Sequence, residues 1–300
     1  VFATWAEDAP TLEAYLGDMR WLMDIQFNRR EGGVKFFGPD KWIIPNNWKN
    51  SADNFVGDNY HAILSHRSAT VALAKFRKVA PPPLMFDFPG NQVSPGNGHG
   101  CYAIWDAPET IWKLIESAVD AEVLDYEKSI IPEMETRLGS LRANEIRPGH
   151  HTLFPNLSWL LTGTVRLWHP RGPGNIEVWA FTALDAAMPD DVQHKALVSQ
   201  MQTFGPSGTF EQDDMDNWRS STQAGKSRIA RATHQLISMG VGHETTHEVL
   251  PGRVINQGIA EINQRSMFVR WQEFMNAGSW RDISIDPITK VFEGSATMEG

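Results

Sequence analysis

From Trp48 to His66 the chain reads W-K-N-S-A-D-N-F-V-G-D-N-Y-H-A-I-L-S-H. His61 and His66 stand five residues apart, with Asp58 three before the first. On an ideal helix that spacing turns the two imidazoles roughly 140° away from each other. They can meet one ion only if the helix ends, kinks or carries a π-bulge between them, and such irregularities tend to sit at functional sites. Asn54, Asp58 and His61 follow spacings of four and three, which put them on one stripe of a regular helix. The expectation is a polar stripe aimed at a metal, on a helix with Ser51 as its N-cap. Asp53, beside the stripe, is expected to face water.

Two histidines suit many metals. Iron that must bind oxygen usually adds a carboxylate, and a 2-His-1-carboxylate triad leaves coordination positions open. The carboxylate candidates lie between Phe204 and Trp218, F-G-P-S-G-T-F-E-Q-D-D-M-D-N-W. There Asp213, Asp214 and Asp216 follow a Gly/Pro-rich turn and two phenylalanines. Read alone, they are acids favoured at a helix N-terminus by its macrodipole. That does not explain their pairing with the histidine stretch, and the residues do not choose between Asp213 and Asp214.

Together, N-F-V-G-D-x-Y-H-x4-H and, about 150 residues later, F-G-x-x-G-x-F-E-x-D-D resemble a known family. It is the α-subunit catalytic domain of Rieske-type aromatic-ring-hydroxylating dioxygenases, the naphthalene and biphenyl dioxygenase group. The resemblance runs over nearly the whole chain. It includes Trp48-Lys49, the F-P-N-L-S run at Phe154 to Ser158 and W-H-P-R-G-P at Trp168 to Pro173. It implies a mononuclear Fe(II) centre with His61, His66 and Asp214 as ligands. It implies Asp58 as the bridge for electrons from a Rieske [2Fe–2S] cluster on a neighbouring α subunit. Asn54, Phe204 and Phe210 are implied as pocket wall, and Phe55 fits the apolar wall such a pocket needs. Family members commonly carry Trp where Phe210 stands, a departure that bears on pocket shape.

The implied reaction is cis-dihydroxylation, the addition of both atoms of O₂ to adjacent carbons of an aromatic ring. NADH is the implied electron donor, through a flavin reductase, a Rieske-type ferredoxin and the Rieske centre. The other implied partners are neighbouring α subunits and a small β subunit in a cytoplasmic α3β3 assembly.

Composition bounds these readings. Three hundred residues, 41% of them hydrophobic, make one large domain or two ordinary ones, and no linker divides them. A net charge of −9 argues against nucleic-acid binding and gives no attraction to an anionic membrane. No apolar run approaches the roughly 20 residues of a membrane span. The single cysteine, Cys101, rules out an internal disulfide. It also rules out a Rieske cluster within this chain, because that cluster takes two cysteines and two histidines. The chain begins Val1-Phe2-Ala3-Thr4. It therefore reads as a C-terminal catalytic portion, residues 1–300, whose N-terminal Rieske domain is absent.

In chain order, Val1 to Thr4 reads as the end of a strand, and Pro10 to Arg29 as helix, capped by Thr11 and weakened at Gly17. Val34 to Phe37 and Lys41 to Trp48 read as strands around a Gly38-Pro39-Asp40 turn. Arg67 to Lys78 continues as helix, and Pro81-Pro82-Pro83 as an extended segment. Pro89 to Gly100 reads as loop, with His99 exposed in it. Ala107 to Arg142 is the longest helical stretch, broken near Pro132. Thr152 to Phe154, Leu157 to Leu167 and Ile176 to Thr182 read as an antiparallel meander. Adjacent strand residues face opposite ways, so at most one of His150 and His151 faces a pocket. Pro189 to Phe204 and Glu211 to Ser238 return to helix, with Trp218 and Ile229 inward. Helices interleaved with antiparallel strand pairs give an α+β class, an antiparallel sheet with surrounding helices of the helix-grip kind.

Two other function classes remain at this point. One is a metal-free helix-grip domain that binds a ligand. The other is a zinc hydrolase built on His243-Glu244-Thr245-Thr246-His247, an H-E-x-x-H match. Glycines before that run, Pro251-Gly252 after it and two β-branched threonines within it argue for a polar loop or strand edge instead.

Overall fold

The computed structural model describes residues 2–83 and 88–290. Its first elements are α1 (Leu12–Leu16), α2 (Met19–Phe27), β1 (Val34–Ile44), α3 (Trp48–Gly57), α4 (Tyr60–Leu64) and α5 (Arg67–Arg77). Next come β2 (Asn91–Gly96), β3 (His99–Trp105), α6 (Pro108–Ile115), α7 (Ala121–Ser129), α8 (Ile131–Leu138) and α9 (Ser140–Asn144). The strands β4 (Ile146–Leu153), β5 (Leu157–Leu160), β6 (Thr164–Pro170) and β7 (Ile176–Asp185) follow. The chain continues through α10 (Asp190–Thr203), α11 (Thr209–Ala224), α12 (Arg228–Ala232), β8 (Thr245–Thr246), β9 (Arg253–Ile255) and α13 (Ile262–Asn276).

The nine strands form one sheet in the order β1-β7-β6-β5-β4-β3-β2-β9-β8, every neighbouring pair antiparallel. This is the expected α+β class. Alternation along the strands gives the sheet two distinct faces. On one, Cys101, Ala103, Trp159 and Val165 pack against Leu16, Met19 and Leu22 of α1 and α2. On the other, Trp168, Val178 and Ala180 pack against Phe55 and Val56 of α3, Trp218 of α11 and Met267 of α13. Tyr102 and Ile104 belong to this second face and pack against Ile111. The histidine stretch and the acid stretch therefore cover the same face.

Several expectations need correction. The Gly38-Pro39-Asp40 segment is no hairpin turn: β1 runs through it beside β7, with a register shift between Phe37 and Asp40. Pro39 has no N–H to donate, and β1 lies at the end of the sheet order, where a strand tolerates that loss. The strand stops at Ile44, and Asn47 rather than Ser51 caps the helix that follows, its side chain accepting from the Lys49 N–H. Residues 2–4 form no strand, and Val1 lies outside the described residues. Pro89 to Gly100 is not loop throughout: Asn97 and Gly98, with φ of 53° and 77°, make a two-residue turn joining β2 to β3. His99 is consequently fully buried, held by the Tyr15 carbonyl at 2.9 Å and the Phe154 N–H at 3.0 Å.

The 107–142 stretch forms four short helices, with breaks after Ile115 and Leu138 besides the one before Ile131. Leu157 to Leu167 is two strands around a turn. The helix from the acid stretch ends at Ala224, leaving Ile229 on the short α12, 79% exposed. Trp218 is buried, as expected. Among the described residues no helix is long and apolar enough to cross a membrane.

Candidate metal centre and substrate pocket

Two helix breaks build the site. α3 stops at Gly57, whose φ of 155° suits glycine, and Asp58 follows in extended conformation. Its Oδ1 accepts from the His61 N–H at 3.1 Å, which starts the single turn of α4. Asn54, Asp58 and His61 do not share one regular helix, as their spacing suggested, yet they meet. The Asn54 amide nitrogen lies 3.0 Å from His61 Nδ1, and Asp58 Oδ2 lies 3.3 Å from the same atom. α4 ends at Leu64, so the helix does end between the two histidines, and His66 begins α5 as its N-cap. This brings the two Nε2 atoms to 3.2 Å.

The first turns of α11 bring the acids. Asp214 is buried, and its Oδ1 lies 3.4 Å from His61 Nε2 and 3.1 Å from His66 Nε2. Asp213 is more exposed and stands behind His66, with Oδ2 3.2 Å from Nδ1. Each imidazole thus has a carboxylate on its outer nitrogen and turns its inner nitrogen to a common point. His61, His66 and Asp214 form a group whose potential ligand atoms all lie within 4.8 Å of one another. Around a first-row divalent ion with bonds of roughly 2.1 Å, ligand atoms stand about 3.0 Å apart at right angles and about 3.4 Å apart at the tetrahedral angle. The three observed separations fall in or next to that interval, and Asp214 Oδ1 has no hydrogen-bond partner. The donor set fits a metal. Burial disfavours a charged His61, but the Asp58 and Asp214 carboxylates outweigh it and lift its pKa to about 10. Burial likewise works against the Asp214 anion, and the His66 and His61 imidazoles hold its pKa down at about 2.

The surroundings are fixed by packing. Asn54 Oδ1 accepts from Trp218 Nε1 at 3.1 Å, which aims its amide nitrogen at His61. Phe210 lies against the His66 ring, 5.0 Å between centroids, and Phe204 lies 5.4 Å from Phe210. Asp53 does not face water freely: it is half-buried, and burial together with the Asp58 and Glu261 charges raises its pKa to about 7. The histidines open onto a cavity of about 290 Å³. Phe55, Phe204 and Phe210 line it, with Asn54, whereas Asp58 stays outside its lining, behind His61.

Sequence reading did not place Tyr102, Ile104, Leu114, Ile115 and Leu161 in the wall. For Tyr102, Ile104 and His150 the alternation of β3 and β4 carries the signal. His150 is the member of the His150–His151 pair that faces the cavity, with Nε2 2.5 Å from Asn59 Oδ1. Burial lowers its pKa to about 4 and keeps it neutral. His151 stacks on Trp159 across the sheet.

The H-E-T-T-H run forms no site helix. Thr245 and Thr246 are the strand β8, Glu244 pairs with Arg265 at 2.6 Å, and His247 Nδ1 accepts from the N–H groups of Val249 and Leu250.

A model of the ring-hydroxylating α subunit, catalytic domain, matches residues 12–255. The α subunit of chlorobenzene dioxygenase from Cupriavidus sp. (strain PS12) is 35% identical over 292 residues, covering 93% of this chain and 63% of that one. The α subunit of biphenyl dioxygenase from Metapseudomonas furukawaii is 36% identical over 294 residues, covering 93% and 62%. A solved naphthalene 1,2-dioxygenase from Rhodococcus sp., bound to indole, matches with a TM-score of 0.77 at 34% identity, covering 93% of this chain and 64% of that one. The chain therefore spans less than two thirds of the length of these relatives.

Proposed function

The chain belongs to the family of ring-hydroxylating α-subunit catalytic domains, and on that premise we propose that it is the oxygenating part of a multicomponent aromatic-ring dioxygenase. The reaction adds O₂, two electrons and two protons to an arene and yields a cis-dihydrodiol. The observation that carries the reading is the convergence of His61 Nε2, His66 Nε2 and Asp214 Oδ1 at the end of an apolar cavity. These three groups would hold iron(II), which would supply the activation of oxygen.

The chain's own residues do the rest. Asp213 accepts from His66 Nδ1, which leaves the His66 Nε2 lone pair facing inward, and Asp58 and the Asn54 amide fix the His61 ring with its Nε2 facing inward. Phe55, Phe204 and Phe210 exclude water and lay the flat ring against the histidines. Asp58, outside the cavity and touching His61, is the entry for electrons from a Rieske [2Fe–2S] cluster. That cluster belongs to an N-terminal domain of the full subunit and reaches Asp58 from a neighbouring α subunit. NADH feeds it through a reductase and a ferredoxin, and a β subunit completes an α3β3 assembly.

The test is iron and zinc content of the complete α subunit, purified anaerobically. About one iron per chain is expected in the wild type and almost none in His61→Ala. Iron retained in full by His61→Ala would sink the assignment. Asp58→Ala should keep its iron but lose single-turnover product formation, and a normal single-turnover rate would disprove the bridge.

A further inference from the structure

A second cavity, of about 50 Å³, adjoins the first. Along β4, Arg147 and Pro148 line the small cavity, and the next two residues, Gly149 and His150, line the large one. Across from them Leu160 lines the large cavity, Gly163 the small one, and Leu161 and Thr162 both. The two spaces thus lie end to end, parted by Ile115, Leu161 and Thr162. None of His61, His66 and Asp214 touches the small one.

Its chemistry differs from that of the apolar pocket. Arg147 Nη1 donates to the Arg142 and Ile146 carbonyls, both at 3.2 Å, and the guanidinium lies over Trp112. Its Nη2 has no partner. Gln200 donates through Nε2 to the Thr162 carbonyl, which leaves its Oε1 without a donor. Thr162 Oγ1 is also unpartnered. Arg147 and Gln200 are both more than nine-tenths buried. A buried polar atom without a partner costs the full desolvation of that atom, so a donor and an acceptor left open in one small space ask for a group that can answer both. The charges nearby are already matched. Arg29 binds both Glu127 and Asp185, and Glu127 also acts on Arg147 from beyond ion-pair distance, so in number two guanidiniums balance two carboxylates.

We propose that the small cavity is the distal end of the substrate site and binds a neutral hydrogen-bonding substituent, a hydroxyl or a primary carboxamide, on the part of an aromatic substrate remote from the carbons that are oxidised. The inference rests on the dioxygenase reading. The aromatic body lies in the apolar cavity, and the arm passes between Ile115 and Leu161. Its oxygen accepts from Arg147 Nη2, and its O–H or N–H donates to Gln200 Oε1. The volume admits only a few heavy atoms, since one water needs about 10–15 Å³ on the same measure.

The test compares equilibrium dissociation constants, which do not depend on turnover. The probes are biphenyl, 3-hydroxybiphenyl, biphenyl-3-carboxamide and biphenyl-3-carboxylate, with the complete iron-loaded α subunit. One hydrogen bond to a buried charged group corresponds to about tenfold in affinity. The hydroxyl or the carboxamide compound should bind about tenfold more tightly than biphenyl, and the carboxylate should not. In Arg147→Met, which removes that bond, the ratio should fall to about one. If Arg147→Met does not fold, Gln200→Met, which removes the second bond, should lower the ratio instead. Equal binding of all four probes, as for a cavity that holds ordered water alone, would overturn the proposal. So would a preference for the carboxylate, or a ratio unchanged in the variant. Product analysis of the same mixtures keeps the two readings apart. Tight binding of the polar probes without any dihydrodiol from biphenyl would count against the reaction and not against the polar end of the site.

Discussion

Asp58 and Asp213 stand on the outer nitrogens of His61 and His66, at 3.3 and 3.2 Å, while Asp214 faces both inner ones. This separates two adjacent acids that the sequence left equivalent. On a helix, neighbours point about 100° apart, so only one of a D-D pair can enter the site while the other stays at its rim. Burial marks the difference, since Asp214 is enclosed and Asp213 half-open. The expected consequence is graded. Asp214→Ala removes a proposed ligand and should leave almost no iron. Asp213→Ala removes only the group that orients His66, and losses of that kind are about 10–100-fold in affinity. Iron titration of the two metal-free variants under anaerobic conditions distinguishes them. Complete loss in Asp213→Ala with retention in Asp214→Ala would reverse the assignment.

At the scale of the element, the decisive feature is a helix that is interrupted twice. Gly57 ends α3 with φ of 155°, and a Cβ there would lie 2.3 Å from Gln92 Oε1 and 2.7 Å from Asn263 Nδ2. Both amides are buried and hydrogen-bonded to each other, so neither can retreat easily. Gly57→Ala should therefore cost about 1–3 kcal/mol in stability. Because Asp58 follows directly, it should also lower iron affinity. A denaturant titration and an iron titration of that one variant check both effects, and an unchanged midpoint would refute the steric argument.

The sequence reaches this site only in part. The spacing of His61 and His66 demands a break between them, and α4 supplies it at Leu64. The same arithmetic misleads for Asn54, Asp58 and His61, because it assumes a helix that Gly57 has already ended. Asn97-Gly98 carries a hairpin signal, but surrounding glycines and prolines mask it, and with it the burial of His99. Ile229 follows the helical period of its stretch, yet nothing in that period tells that the helix stops at Ala224. Pocket walls are the least legible part, since Tyr102, Ile115 and Leu161 meet only through the packing of distant elements.

At the scale of the whole molecule, the sheet that carries the site also holds three histidines in neutral form, His99 and His151 buried and His150 half-buried at the cavity. His99 opens β3, and His150 and His151 sit side by side in β4 on opposite faces. Burial lowers their pKa values to about 4, 4 and 3 respectively. An unfolded histidine titrates near 6.5. Between pH 6.5 and 4 these three sites therefore bind more protons in the unfolded chain than in the folded one, so their contribution to stability rises with pH across this window, opposed in part by the raised carboxyls of Asp53 and Glu211. Read downward, stability is intact above about 6.5 and is lost as pH falls through the folded values. Up to three protons should be taken up on unfolding in that window from these groups alone. His151 offers the cleanest control. Its ring stacks on Trp159 at 4.6 Å and its Nε2 has no partner, so a phenyl ring keeps the stack and removes an unanswered polar atom. The Nδ1 bond to the Trp159 carbonyl, 3.1 Å long, is lost in exchange. Urea midpoints measured on metal-free protein from pH 7 to 4 should fall in the wild type, and the slope for His151→Phe should be shallower by about one proton. Parallel curves for the two proteins would mean that this imidazole is protonated in the folded chain as readily as in the unfolded one.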